Sequence, residues 1–261
     1  MIGLLFGDTD FPKQILKKIK KNKIKYFIID FSKNNIFKKD RFSLKIGIGQ
    51  FGKIFEVLKK NKCKKVLFAG KINKPKISSL KVDLKGFYYL PRIIKAAKLG
   101  DAAILKTIIN ILGKEKIKVV SSIVYNPELA LSAGIYTKVK PNKEDIISIK
   151  KGIKSLGKLN PYNHIQGLVI KGNNVIFKET SKGTKKMLQS IDKKTKSILI
   201  KLPKKKQDLR LDLPTVGLDT LKDCKKAGIK GIVLKSKKNI FMDKSKIISF
   251  ANKNKIFIKV I

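Results

Sequence analysis

The 261-residue chain has no tryptophan, a single histidine (His164) and two cysteines, Cys63 and Cys224. Two distant thiols and one imidazole, with no metal-ligand spacing, exclude a Cys/His zinc site and a Cys–His nucleophile. They fit a reducing compartment and no disulfide framework. His164, in PYNHIQG, reads as a structural loop histidine rather than a general base. Arginine is almost as scarce, with three (Arg41, Arg92, Arg210) against 59 lysines, and only 18 acids leave a formal net charge of +44. Nucleic-acid readers enrich arginine for bidentate contacts, so no specific nucleic acid is expected. Lys, Ile, Asn and Phe share AT-rich codons, and an AT-biased genome explains much of this balance. The charge still favours anionic ligands and anionic membrane surfaces. No apolar run reaches the roughly 18 residues of a membrane-spanning helix. The opening MIGLLFGDTDFP lacks a basic start, so it reads as a buried first strand rather than a signal peptide.

What is present is an apolar fraction of 43%, enough for a real core in a chain of this length. Strand and helix signals alternate along the first half. IGLLF (2–6), YFIIDF (26–31), KIGIGQ (45–50), KVLFAG (65–70) and IKVVSSIV (117–124) read as strands. PKQILKKIKKN, FGKIFEVLKKN and a block over 93–112 read as helices. This order predicts parallel pairing in a Rossmann-like α/β domain over 1–138. The polar YTKVKPNKED (136–145) reads as the interdomain connection. The second half, 139–261, opens with a helix over 146–156. A hairpin follows at Gly-Asn-Asn in QGLVIKGNNVIFKE, then the strand SILIKLP and two helix–strand pairs. It predicts a second α/β domain with a mixed sheet. Ligands of open α/β sheets sit beyond the carboxyl ends of the strands. The loops GDTDFP and AGKINKP and the acidic segment of the second half are therefore candidates for one cleft.

That acidic segment, KLPKKKQDLRLDLPTVG (201–217), concentrates the chemistry. In an extended chain, residues two apart share a face. Asp208, Arg210 and Asp212 would then project together, with Leu209, Leu211 and Leu213 on the packed side. Two carboxylates around a guanidinium suit a divalent cation held with a phosphorylated ligand. A solvated strand edge carrying a salt bridge fits the spacing equally well. GIGQFG (47–52) matches G-x-G-x-x-G, but it follows the third strand and lacks the acid that holds ribose, so it reads as packing glycines at a helix start. SKGTKKM (181–187) offers a glycine and a hydroxyl at a helix start, either a phosphate contact or an ordinary cap. It lacks Walker spacing.

KLPKKKQDLRLDLPTVGLDTL resembles the signature of the LpxI-type UDP-2,3-diacylglucosamine pyrophosphatase family, K-x-x-K-P-x-Q-D-x-R-x-D-L-P-T-x-G-x-x-T. VLFAGKINKP is similar to its F-A-G-K-V-x-R-P, GDAAILK to its G-D-D-x-L-L-R, and NPELALSAGIYT to its P-E-L-L-x-x-x-G-x-L-T. IGLLFGDTDFP looks like its glycine-rich opening. The resemblance implies hydrolysis of UDP-2,3-diacylglucosamine to UMP and 2,3-diacylglucosamine 1-phosphate, an early step in lipid A synthesis. Water would attack the α-phosphorus with magnesium present, in a cytoplasmic homodimer at the inner membrane surface. It implies Asp212 as the main catalytic or metal-binding carboxylate, Asp208 assisting the metal or positioning water, and Arg210 with Lys201 stabilising phosphate charge. Gly7, Asp10, Gly70, Lys71, Gln166, Gly183, Thr184, Lys201 and Gln207 would line the substrate.

The chain departs from the family where D-V-G-Q becomes Asn163-His164-Ile165-Gln166. It departs again where E-A-x-E-G-T-D becomes Glu179-Thr180-Ser181-Lys182-Gly183-Thr184-Lys185, and where Ala102 replaces an acid. These changes leave fewer carboxylates for a metal. They keep open a non-catalytic nucleotide-sugar or polyanion-binding protein on the same scaffold. An RNA-binding reading rests on net charge alone.

Overall fold

The computed structural model describes residues 1–72, 79–159, 165–180, 182–191, 196–204, 208–210 and 213–261. The chain forms two compact units, Met1–Pro127 and Glu128–Ile261. The first begins with IGLLF as β1 (Ile2–Phe6), buried at every residue, as a central parallel strand must be. Then follow α1 (Phe11–Lys21), β2 (Tyr26–Asp30), β3 (Ser43–Lys45), α2 (Phe51–Lys60) and β4 (Lys65–Ala69). The unit closes with α3 (Leu84–Lys98), α4 (Asp101–Lys114), β5 (Lys118–Val120) and α5 (Ser122–Tyr125). The strands pair in parallel in the order β3-β2-β1-β4-β5. All carboxyl ends thus share one edge, which is the Rossmann-like arrangement expected.

Local boundaries differ from the sequence reading in three places. KIGIGQ is not a strand, because β3 lies on Ser43–Lys45 and the glycines that follow turn the chain into α2. The block read as one helix over 93–112 is two, broken where Gly100 adopts φ +101°. IKVVSSIV is a strand only over Lys118–Val120, since Ser121 accepts from the Ile123 N–H and starts a helix.

GIGQFG does pack closely. A Cβ on Gly49 would meet the Lys81 carbonyl at 2.7 Å, and one on Gly52 would meet the Asp83 carboxylate at 3.0 Å. Asp83 accepts from Lys53 N–H at 3.0 Å and Gly86 N–H at 2.7 Å, joining the first turns of α2 and α3. Asp30, at the carboxyl end of β2 where dinucleotide folds keep a ribose-binding acid, is fully buried. It accepts from Ser32 N–H at 2.7 Å and Phe37 N–H at 3.0 Å. It faces the loop, not a ligand.

The second unit runs β6 (Gly134–Ile135), α6 (Lys143–Leu159), β7 (Gly167–Lys171), β8 (Asn174–Lys178), α7 (Gly183–Gln189) and β9 (Ser197–Lys201). It continues with β10 (Thr215–Val216), α8 (Leu218–Lys226), β11 (Ile229–Leu234), β12 (Ile240–Phe241), α9 (Lys244–Lys253) and β13 (Phe257–Val260). Its six-stranded sheet is mixed, in the order β6-β13-β11-β9-β7-β8. The strands β9, β11 and β13 are parallel and the flanking ones antiparallel. The Gly-Asn-Asn turn closes the β7–β8 hairpin as expected, with Gly172 at φ +52°.

Both faces of this sheet are covered, and alternation sorts the side chains. Leu199, Val169 and Ile232 pack with Leu188, Leu221 and Ile247 of α7, α8 and α9 on one face. Ile198, Ile200 and Leu168 pack with Ile149 and Leu156 of α6 on the other. Leu131 joins the first of these clusters, and β6 pairs with β13. The division between units therefore falls before Glu128, ahead of the 138/139 boundary read from the polar stretch.

Burial pushes the Asp83 carboxyl up, but the backbone N–H groups of Lys53, Gly86 and Gly52 outweigh it and hold it below its usual range. A lowered folded value means the cap contributes fully above the ordinary carboxylate range and is lost as pH falls through the folded value. Asp83→Ala should therefore cost about 1–2 kcal/mol at neutral pH. In urea titrations the gap from the parent protein should close as pH falls below the ordinary carboxylate range. An unchanged gap at low pH would show that the carboxylate charge is not what joins the helices.

Candidate active site

The chemistry in the second unit gathers where β9 ends. Because β7 runs antiparallel to β9, its first residue Gly167 stands opposite Lys201. The N–H of Leu202 donates to the Gln166 carbonyl at 2.9 Å. Gln166 and Lys201, far apart in sequence, thus share one edge. The Glu179 N–H donates to the Gly167 carbonyl at 2.9 Å, which brings the residue after β8 to the same place.

Lys201 is 7% exposed and Glu179 only 3%. A bare buried ammonium or carboxylate is costly unless it is paired and hydrogen-bonded. Here Thr184, the second residue of α7, links them. The Lys201 Nζ donates to Thr184 Oγ1 at 2.6 Å, and that hydroxyl donates to Glu179 Oε1 at 2.7 Å. The Gln166 N–H donates to Glu179 Oε2 at 2.9 Å. The side-chain Oε1 of Gln166 is buried and meets no donor among the described residues. Native proteins seldom leave such an acceptor unpaired, and a ligand hydroxyl or N–H suits it. The Thr184 hydroxyl is occupied by Lys201 and Glu179, so it is a link rather than an open helix-start contact.

After β9 the chain reaches Asp208 and Arg210. Arg210 Nε lies 2.9 Å from Asp208 Oδ1 and 3.2 Å from Oδ2, and its Nη2 lies 2.6 Å from Oδ2. The Arg210 N–H also donates to Asp208 Oδ1 at 3.0 Å. The side chain binding the backbone two residues on makes an Asx-type turn, and residues 209 and 210 are a turn. This corrects the extended-strand reading, in which alternation put the two side chains on one face. They do meet, but by a turn. The Arg210 guanidinium holds the Asp208 carboxyl below its usual range, with burial opposing, and Asp208 raises the arginine in return. The arginine side chain is 47% exposed, so the fork contributes at most about 1 kcal/mol to stability. Its value is a guanidinium held in place at the surface. Asp212 and Gln207 lie outside the described residues, as do Asn163, His164 and Leu211.

In the first unit, the loops after β1 and β4 meet where strand order reverses, the usual ligand crevice of an open sheet. They are joined by backbone pairs: Gly7 N–H to Ala69 O at 2.9 Å, Asp8 N–H to Lys71 O at 2.8 Å, and Lys71 N–H to Asp8 O at 2.9 Å. Gly70 sits at φ +88°, and a Cβ there would strike the Pro12 ring at 2.7 Å. Thr9 takes φ +92°, a strained choice for a β-branched residue, where the family's opening carries glycines. Asp10 is exposed and pairs with Lys13 at 3.0 Å without capping α1. Lys71 is exposed beside it.

Of the expected residues, the structure brings together Gln166, Thr184 and Lys201, with Gly183 at the adjoining helix start, and pairs Asp208 with Arg210. It groups Gly7, Gly70 and Lys71 separately, in the other unit. Sequence reasoning left Glu179 out of the site, although it is the one acid this chain keeps of the block that is acidic in the family, and that block was the signal. No three His, Cys, Asp or Glu side chains converge on a metal-sized space among the described residues. A surface groove of about 520 Å³ on α6 offers Lys150, Lys151, Lys154 and Lys158, but no carboxylate. Cys224 is buried in the core, and burial pushes its thiol up, beyond useful reactivity.

Comparison with known proteins gives the family of both units. Residues 1–129 match the model for the LpxI N-terminal domain, and residues 132–259 match that for the LpxI C-terminal domain. A Caulobacter vibrioides protein named UDP-2,3-diacylglucosamine pyrophosphatase LpxI is 33% identical over 139 residues, 53% of this chain and 50% of its own. The chain thus spans about half the length of that curated relative.

If Thr184 relays the Glu179 charge to Lys201, Glu179→Gln should destabilise the protein by about 1–3 kcal/mol, since the buried Thr184 hydroxyl and Gln166 N–H lose a charged acceptor. Adding Lys201→Met should recover part of that loss in urea titrations. Strictly additive losses would show that the two charges are not coupled.

Proposed function

Because the chain belongs to the LpxI family along both of its domains, we propose that it hydrolyses UDP-2,3-diacylglucosamine to UMP and 2,3-diacylglucosamine 1-phosphate. The observation that carries this reading is the buried Lys201–Thr184–Glu179 link, set beside the Asp208–Arg210 fork in the domain matched by the family's C-terminal model. Water oxygen bonds to the α-phosphorus, and the bond from that phosphorus to the bridging oxygen breaks. The electron pair leaves on the sugar-1-phosphate, and the water proton passes to a carboxylate, for which Asp212 is our assignment. Lys201 and Arg210 supply positive charge where negative charge grows on the phosphoryl oxygens. Gln166, whose buried side-chain oxygen meets no donor among the described residues, orients the substrate, together with Gly183 and Gln207. Gly7, Asp10, Gly70 and Lys71 are proposed as substrate contacts of the first unit by itself.

Magnesium fits the described residues poorly. Asp208 commits both oxygens to Arg210, and no cluster of three ligating side chains is found among those residues. We derive no step through a resident ion. An ion carried on the substrate's own diphosphate, with Asp212 as its protein ligand, is the form of the proposal that these residues leave. A cytoplasmic homodimer working at the inner face of the membrane belongs to the same proposal. No helix among the described residues is long and apolar enough to cross a membrane.

The first measurement is UMP release from UDP-2,3-diacylglucosamine with magnesium, with and without EDTA. EDTA-sensitive turnover supports the reading. Binding without turnover favours the non-catalytic alternative, for which Lys182 and Lys185 in place of family acids already argue. Asp212→Ala should abolish turnover, and unchanged turnover sinks the assignment. Arg210→Ala should lower kcat by about 10²–10³-fold, with Arg210→Lys failing to rescue it because a point charge cannot reproduce the fork. Asp208 stays ionised until pH falls below its ordinary 3.8. The acid limb it contributes to kcat/KM should therefore lie below that pH, and a limb near neutrality removed by Asp208→Asn would overturn its role as a standing carboxylate.

A further inference from the structure

We propose that the outer face of α3 docks the protein on a bilayer containing anionic phospholipid. In its first two turns the helix carries apolar side chains on two opposite sides, with Lys85 between them. On the inner side Tyr89 is buried against Phe51 and Phe55, ring centroids 5.8 and 6.4 Å away. On the outer side Leu84, Phe87 and Tyr88 are 91%, 71% and 62% exposed, and Pro91 continues the stripe one turn on. Spacing of i, i+3, i+4 and i+7 places all four on one line. An apolar helix face ordinarily packs against something, and among the described residues nothing covers the outer one. Leu99, 73% exposed, extends the patch at the far end.

The charges around the stripe choose the occupant. Lys95 and Lys98 are exposed on the same outer line, one and two turns beyond Pro91. The Arg92 guanidinium lies 5.4 Å from the centre of the Tyr88 ring, a cation kept at the rim of the apolar surface. Lys85 lies at the other rim, paired with Glu115 at 2.7 Å. The acid at the start of the helix, Asp83, is turned inward by its N–H contacts to Lys53 and Gly86. Aromatic and aliphatic side chains flanked by lysine and arginine are the pattern of an interfacial helix on an anionic bilayer. A second copy fits less well, because each α3 would bring Arg92, Lys95 and Lys98 to the contact with no acid on the same outer line to meet them. The proposed substrate, carrying two acyl chains, gives the docking a purpose, and to that extent the inference rests on the proposed function. Its evidence is the helix alone.

The test uses substrate-free vesicles of phosphatidylethanolamine and phosphatidylglycerol, so its failure is separate from failure of the enzymatic reading. At about 0.5 M salt the screening length falls to roughly 4 Å, which removes most of the attraction due to net charge alone. The parent protein should still sediment with these vesicles. Leu84→Ser/Phe87→Ser, which keeps every charge, should lose about a hundredfold in partitioning at that salt. Because both side chains are exposed, its thermal midpoint should match the parent's. Since the chain has no tryptophan, Phe87→Trp gives a single reporter whose emission should shift to the blue on vesicles. Equal sedimentation of the double variant overturns the proposal, as does an unshifted Phe87→Trp. So does a parent dimer that this variant splits while vesicle binding is kept, which would assign the face to a second copy.

Discussion

The second unit is organised around a lysine ammonium that has been taken out of water. Lys201 ends a strand buried at every position, and its charge has to be matched inside the protein. Matching it requires Thr184 at the start of α7, Glu179 after β8, and a backbone N–H from the residue that leads into β7. Three separate stretches of chain are therefore pinned at one sheet edge. The antiparallel β7–β9 pairing makes this possible, since only that direction brings an entering strand and a leaving strand to the same end. Fold and candidate chemistry are here one constraint.

The loop bearing Asp208 and Arg210 answers to a different requirement. Its described residues, 208–210, are half-buried or exposed, and their geometry depends on a local turn rather than on packing. A guanidinium forked onto a carboxylate two residues away is fixed by its own backbone and remains open to solvent. Such a pair is poorly suited to holding a cation and well suited to meeting a phosphate. The first unit shows the same economy at its own sheet edge, where backbone pairs between the β1 and β4 loops do the fixing and Lys71 stays exposed.

Much of this was legible in the chain, for physical reasons. IGLLF and SILIK are uniformly apolar because both faces of each strand are covered, and periodicity finds such strands easily. β3 was misplaced because it is an exposed edge strand of Ser43, Leu44 and Lys45, with less apolar character than the loop residues Ile46 and Ile48 after it. The start of α3 was missed because Gly86 and Pro91 argue against a helix on propensity. Asp83 overrides them by capping the first turn, and a cap shared with α2 cannot be read from local pattern. Gln166, Thr184 and Lys201 were legible through family blocks, whereas the link through Glu179 needed three-dimensional contact. The spacing of Asp208 and Arg210 pointed to a pair with the wrong local geometry, because an Asx-type turn and a strand can both bring residues i and i+2 together.

Sharing one carboxylate between the first turns of α2 and α3 has a kinetic consequence. Helix ends ordinarily fray independently, each on its own small opening free energy. When Asp83 lets go, both first turns lose a partner in the same event, so their opening is correlated. The bare apolar stripe begins at Leu84, the very next residue. Whatever settles on that stripe therefore damps motion in a second helix it never touches.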